Sequence, residues 1–254
     1  MMLNFIIIFL VIFLILTFFY KQSVCEFRIN QIEWVRRFDT INGLLSEKVP
    51  IILRGVPKTT FWTCEDVMMR NCYSDIHVFK DRTLAEWISV SSYDTTCPWN
   101  TSHSEKIGGI CGLDIWSDRW ITGGILTNPI YRIWLKPFYE CWAGNYRLKK
   151  MSAPWNCIIV SEGAIQVSLL TCDMEYALPK KWEGCFPMDL TSHDTPFVTE
   201  LKILDIIVKP GNCLMVPAHW FVSWKCLIGE KVCPMVCMVS YHSPLSRFAK
   251  AIKS

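Results

Sequence analysis

The stretch "KPGNCLMVPAHWFVSW", Lys209 to Trp224, decides how the chain is read. Pro210-Gly211 suits the two central positions of a type II turn, because proline presets the first φ and glycine accepts the positive φ of the second. An apolar run follows the turn, and then come Pro217 and the aromatics Trp220, Phe221 and Trp224. The pattern predicts two strands meeting at the turn, the earlier one within "ELKILDIIV". Working outward, "WNCIIVSEGAIQVSLL" predicts a hairpin joined at Ser161-Glu162-Gly163. In its second half Ile165, Val167 and Leu169 face one way, while Ala164, Gln166 and Ser168 face the other. Downstream, "VCPMVCMVSYH" supplies one more apolar strand.

Toward the N-terminus, "YRIWLKPF" alternates as a strand does, and "VPIILRG" reads as a short buried strand closed by Gly55 and Pro57. In "TLAEWISV", Thr83 and Glu86 stand at capping-box spacing, so a short helix is expected near residue 83. In "FRINQIEWVRRFDTINGLLSEK", Ile29, Ile32, Val35, Phe38, Ile41 and Leu45 recur at spacings of three or four, which predicts an amphipathic helix. Between about 91 and 129, Ser, Thr, Gly and Pro interrupt every periodic segment, so loops with short elements are expected. No internal repeat is present.

The chain has 254 residues, 51% of them hydrophobic and 19% charged, an apolar excess concentrated at its start. Met1 to Tyr20 carries no charged side chain, and 20 helical residues reach roughly 30 Å, the thickness of a bilayer core. No Lys or Arg precedes this run, and the only small-residue pattern near a plausible cut is Ser23-Val24-Cys25, so an uncleaved anchor is expected rather than a signal peptide. Lys21, Arg28, Arg36 and Arg37 follow it, placing the large domain in the cytoplasm. With 26 basic and 23 acidic residues and no long run of one sign, nothing points to nucleic acid. The thirteen cysteines form no paired CxxC pattern, and are expected to be reduced, small apolar fillers.

The order of these pieces resembles the JmjC superfamily of cupin-like proteins. The resemblance runs over residues 49–248, through "VPIILRG", "NCIIVSEGAIQVSLL", "VKPGNCLMVPAHWFVSW" and "VSYHSPLSRFAK". It implies a mostly β (α+β) domain, a double-stranded β-helix or jelly-roll barrel with flanking helices, here preceded by one transmembrane helix. The division is then an anchor over 1–20, a juxtamembrane amphipathic helix over 21–48, the domain over 49–248 and a basic tail over 249–254.

Active members of that family are Fe(II)- and 2-oxoglutarate-dependent oxygenases, whose iron is held by an HxD or HxE pair and a distant histidine. On this sequence those positions fall on Lys150, Ser152 and Val222, and the co-substrate lysine falls on Ile165. Neither imidazole nor carboxylate remains, so no catalytic residue, metal or cofactor is expected, and the chain reads as a pseudoenzyme that binds an unknown protein partner or serves a structural role. Two alternatives stay open. Displaced ligands would rebuild an Fe(II)/2-oxoglutarate site, for which His103-Ser104-Glu105, His193-Asp194, His219 and His242 are the available groups, each with a plainer surface or packing explanation. Alternatively, His219, Trp220, Phe221 and Trp224 would line an aromatic mouth for a small molecule or carbohydrate.

Overall fold

A computed structural model describes residues 2–21, 26–34, 38–74, 76–79, 82–90, 95–126, 129–229 and 232–251. It opens with α1 (Met2–Lys21), β1 (Asn30–Glu33), α2 (Phe38–Ser46), β2 (Ile51–Arg54), α3 (Cys64–Met69) and α4 (Asn71–Ser74). Then come β3 (His77–Phe79), β4 (Arg82–Thr83), α5 (Leu84–Val90), α6 (Thr101–Ile110), α7 (Leu113–Ser117), a π-helical turn (Asp118–Thr122) and α8 (Pro129–Trp134). Eight strands follow: β5 (Lys136–Ala143), β6 (Tyr146–Lys150), β7 (Trp155–Glu162), β8 (Ile165–Leu170), β9 (Leu204–Val208), β10 (Asn212–Pro217), β11 (Phe221–Cys226) and β12 (Met235–His242). The helix α9 (Pro244–Ala251) ends the described chain.

Among the described residues this is a mixed α/β fold with twelve strands, not the mostly β barrel behind a membrane helix that the sequence led us to expect. A six-stranded sheet has the order β1-β2-β10-β7-β12-β5, a four-stranded sheet the order β6-β11-β8-β9, and β3 pairs with β4. The helical content was missed because α6, "TSHSEKIGGI", carries weak helix formers and two glycines. Tertiary contacts supply what propensity lacks. Asn100 caps the helix by accepting the His103 N–H, and the buried Ser104 hydroxyl donates to the Cys141 carbonyl at 2.7 Å. Gly108 lies so close to β5 that a Cβ there would collide with the Tyr139 carbonyl, so the glycine is a packing contact.

The turn at Lys209 forms, with the Asn212 N–H bonded to the Lys209 carbonyl at 3.0 Å. The strands around it do not pair with each other: β9 lies against β8, whereas β10 lies between β2 and β7. The expected hairpin at Ser161-Glu162-Gly163 behaves likewise, β7 belonging to the larger sheet and β8 to the smaller. Sequence spacing reveals the strands and turns, but the partners are set by long-range burial on both sheets. The sheets meet through aromatics. Trp142 on β5 packs edge-on against Tyr146 on β6 at 4.8 Å, and Tyr146 stacks on Trp224 of β11 at 4.1 Å.

The expected helix over 21–48 is replaced by two elements. Ile32 lies in β1, whose parallel ladder with β2 pairs Asn30 with Ile51, and the buried Ile41 and Leu45 lie in α2. Ser23, Val24, Cys25, Val35, Arg36, Arg37 and residues 252–254 lie outside the described residues.

The N-terminal helix lies along α9. Phe13 packs edge-on against Phe248 at 5.2 Å, Thr17 is buried, and the Tyr20 hydroxyl donates to the Ser152 carbonyl at 2.9 Å. Among the described residues no helix is long and apolar enough to cross a membrane. The last two turns of α1 are engaged with the domain. The expected single-pass anchor and the cytoplasmic placement derived from it are corrected accordingly. Phe5, Phe9, Phe18 and Phe19 of α1 are exposed.

Candidate functional site

Alternation along the strands sorts the larger sheet into two faces. On β12, Cys237, Val239 and Tyr241 are buried on one face, and Met238, Ser240 and His242 point to the other, into a cavity of about 560 Å³. The ladders bring polar groups together on that second face. Glu140 of β5 stands opposite Met238, and Asn156 of β7 stands opposite Ser240. The Asn156 amide donates to the carbonyls of Ala153 and Val216 at 3.1 and 3.2 Å, and its oxygen accepts from the Ser240 hydroxyl at 2.9 Å. Glu140 is 5% exposed and accepts from the Trp142 indole N–H at 3.2 Å. These three side chains make a polar floor.

The opposing wall comes from the end of β6 and the segment after it, through Lys149, Lys150, Met151 and Ser152. Lys150 is committed elsewhere: its ammonium is 2.5 Å from Glu175 and 5.2 Å from the centre of the Phe221 ring. Lys149 reaches only the Thr101 hydroxyl, at 3.3 Å, among its described hydrogen bonds. Tyr20 of α1 and Arg247 of α9 close the mouth, with the guanidinium 5.3 Å from the centre of the Phe138 ring. Burial pushes the Tyr20 phenol well above its ordinary range, so it is a hydrogen-bond donor at any ordinary pH. Its ring meets that of His219 edge-on at 5.1 Å.

His219 has a φ of 72°. That left-handed conformation is held by two bonds at 2.8 Å, from the His219 N–H to the Met151 carbonyl and from the Met151 N–H to the Trp220 carbonyl. The strained turn thereby ties the wall of the cavity to the start of β11.

Of the positions singled out in the sequence, Lys150, Ser152 and His219 line this cavity. Val222 and Ile165 are fully buried in the hydrophobic core, Val222 in register with Leu169 and Lys149, and Ile165 with Cys226 and Val208. Trp220, Phe221 and Trp224 are also buried, so they form no mouth. Trp182, which the sequence did not single out, lines the cavity instead.

Among the other histidines, His103 is hydrogen-bonded to its cap residue Asn100, and His242 packs edge-on against Phe138 at 5.1 Å with Nδ1 3.3 Å from the Ser246 hydroxyl. Glu105 and His242 line the cavity. Among the described residues no three His, Cys, Asp or Glu side chains gather closely enough to hold a metal ion. Cys141, Cys157, Cys213 and Cys237 are fully buried.

Glu140, Lys149, Ser240 and Arg247 escaped sequence reasoning. For Glu140 and Ser240 a signal existed, since each is a polar residue inside a mainly apolar strand, "KPFYECWA" and "MVCMVSYH". Lys149 and Arg247 carried none, because basic residues outside a long run read as solvated surface. The arrangement offers fixed hydrogen-bonding groups, charges of both signs and apolar walls in one concavity, which suits binding. Compared with known proteins, the chain matches no family model and no curated protein.

Proposed function

We propose that the chain is a binding module, a catalytically inactive relative of the oxygenases it resembles, that takes a small polar molecule into the cavity between its two sheets. One observation carries this reading: the polar floor of Glu140, Asn156 and Ser240 faces a concavity of about 560 Å³, within the usual size range of ligand sites. The positions that would hold iron and its co-substrate carry an ammonium, a hydroxyl and two buried aliphatic side chains, which supply no ligand set for a redox metal. The groups that line the cavity bind and orient; the docked α1 and α9 limit access to its mouth.

The experiment is a screen of small polar molecules against the full chain, read by thermal shift, with Ser152→Trp as the control. Ser152 engages α1 through its backbone carbonyl, so the substitution keeps that bond while its indole fills the mouth. Molecules that raise the melting temperature of the native chain and leave that of Ser152→Trp unchanged support the reading. No hits, or hits indifferent to the substitution, refute it.

A further inference from the structure

Phe13, Thr17 and Tyr20, at spacings of four and three, form the stripe by which α1 meets the domain. Residues 5–12, about two turns of helix, are exposed at every position, and beyond them Leu14, Ile15, Leu16, Phe18 and Phe19 are exposed as well. Every one of these side chains is apolar. Apolar surface on this scale marks a place of contact with a protein or a membrane. A protein partner covers one stripe of a helix, roughly 100° wide, and would leave the rest of residues 5–12 in water. A fluid apolar layer surrounds a helix on all sides.

The charges nearby fit the polar edge of such a layer. The chain carries no Asp or Glu before Glu26 and none after Glu230, whereas Lys21 ends α1, Arg247 and Lys250 lie in α9, and Lys253 follows beyond the described residues. Glu105, Glu140 and Glu183 line the cavity and belong to neither helix. The two packed helices thus carry net positive charge beside the apolar surface, which attracts anionic headgroups. We propose that α1 docks the protein on an anionic lipid surface, with its exposed N-terminal turns in the apolar layer and the basic residues of α1 and α9 at the headgroups. Insertion is from one face and needs no helix that crosses. The contact is independent of what the cavity binds.

The test is flotation of the full chain with two kinds of vesicle, phosphatidylcholine alone and phosphatidylcholine with about an equal part of phosphatidylserine. The chain is expected to rise with the mixed vesicles and to bind them about tenfold or more tightly than the neutral ones, since each basic residue near the surface contributes roughly fivefold. Phe5→Glu combined with Phe9→Glu should lower binding to the mixed vesicles by about a hundredfold or more, about tenfold for each ring kept out of the apolar layer. Both side chains are exposed, at 68% and 72%, so the variant keeps the fold, which far-UV circular dichroism checks. A native chain left at the bottom of the gradient, equal binding to both kinds of vesicle, or a variant that floats as the native chain does overturns the proposal. A dimer that ignores vesicles and dissociates in the variant also overturns it, and assigns the exposed turns to a second copy.

Discussion

Replacing Trp224 by alanine tests whether the aromatics of β11 belong to the core or to a ligand-binding rim. The indole is 1% exposed, stacks on Tyr146 at 4.1 Å with the ring planes 11° apart, and donates to the Gly144 carbonyl at 3.1 Å. Tyr146 in turn leans on Trp142 of the other sheet, so the deletion opens a hole where the two sheets meet. Removing a buried tryptophan costs about 3–5 kcal/mol through lost transfer energy and the cavity left behind. Losing the stacked pair adds about 1 kcal/mol, partly the same contacts counted twice, so about 4 kcal/mol is expected in all. That is a large share of a stability of about 5–15 kcal/mol. Urea unfolding followed by far-UV circular dichroism should show the midpoint falling by about 2 M at an m-value of about 2 kcal/mol/M. Trp224→Phe keeps the stacking partner and should lose less than half as much. A loss below about 1 kcal/mol for the alanine variant would refute the placement of Trp224 in the core and return it to the surface of a binding site.

Three further outcomes follow from the same geometry. Val222→His places an imidazole at a fully buried position between Leu169 and Lys149. Overpacking and an unmet N–H should cost about 3 kcal/mol, with no recovery on adding Fe(II) or Zn(II) in a thermal melt; metal-dependent rescue would contradict the account. Gly144→Ala should cost more than about 2 kcal/mol in urea unfolding, because its φ is 75° and a Cβ there would collide with the Thr95 carbonyl; a neutral effect would disprove that turn. Stability should fall on the alkaline side. Burial holds the thiols of Cys64 and Cys233 up to about 12, so both bind their protons more tightly when folded than unfolded. Their contribution is complete below about pH 8.5 and is lost as the pH rises from there toward 12, so the urea midpoint at pH 10 should lie below that at pH 7 and rise again in Cys64→Ser.

Local chemistry was legible in the sequence wherever a short pattern determines it. The capping box forms as read, Thr83 N–H to the Glu86 carboxylate at 2.9 Å and Glu86 N–H to the Thr83 hydroxyl at 3.3 Å, and opens α5. Apolar runs at Ile51–Arg54, Trp155–Glu162, Asn212–Pro217 and Met235–His242 are strands. Partnership was not legible, because apolar runs buried on both faces carry no mark of which sheet they join. The alternation read in "YRIWLKPF" also misled, since Ile130 to Trp134 belong to α8 and β5 begins only at Lys136. Residues from 101 to 122 read as loop because Gly108 and the π-helical turn look like interruptions, whereas the close approach of α6 to β5 requires the glycine. At the candidate site, Lys150, Ser152 and His219 line the cavity, whereas Val222 and Ile165, the other two positions taken from the resemblance, lie in the core together with Trp220, Phe221 and Trp224. Tyr20 and Arg247 reach the cavity only because α1 and α9 dock across its mouth, an approach between residues more than 200 positions apart that no local pattern records.

Val222 and Ile165, which the resemblance assigns to the metal and co-substrate positions of an oxygenase, are fully buried among hydrocarbon side chains. The most direct test is iron binding by the full chain under anaerobic Fe(II) loading, followed by assay of succinate on adding 2-oxoglutarate and O₂. The expected result is below about a tenth of an equivalent of retained iron and no succinate above the protein-free control, since a metal is held only by a matched ligand set. Near-stoichiometric iron with turnover of 2-oxoglutarate would contradict it.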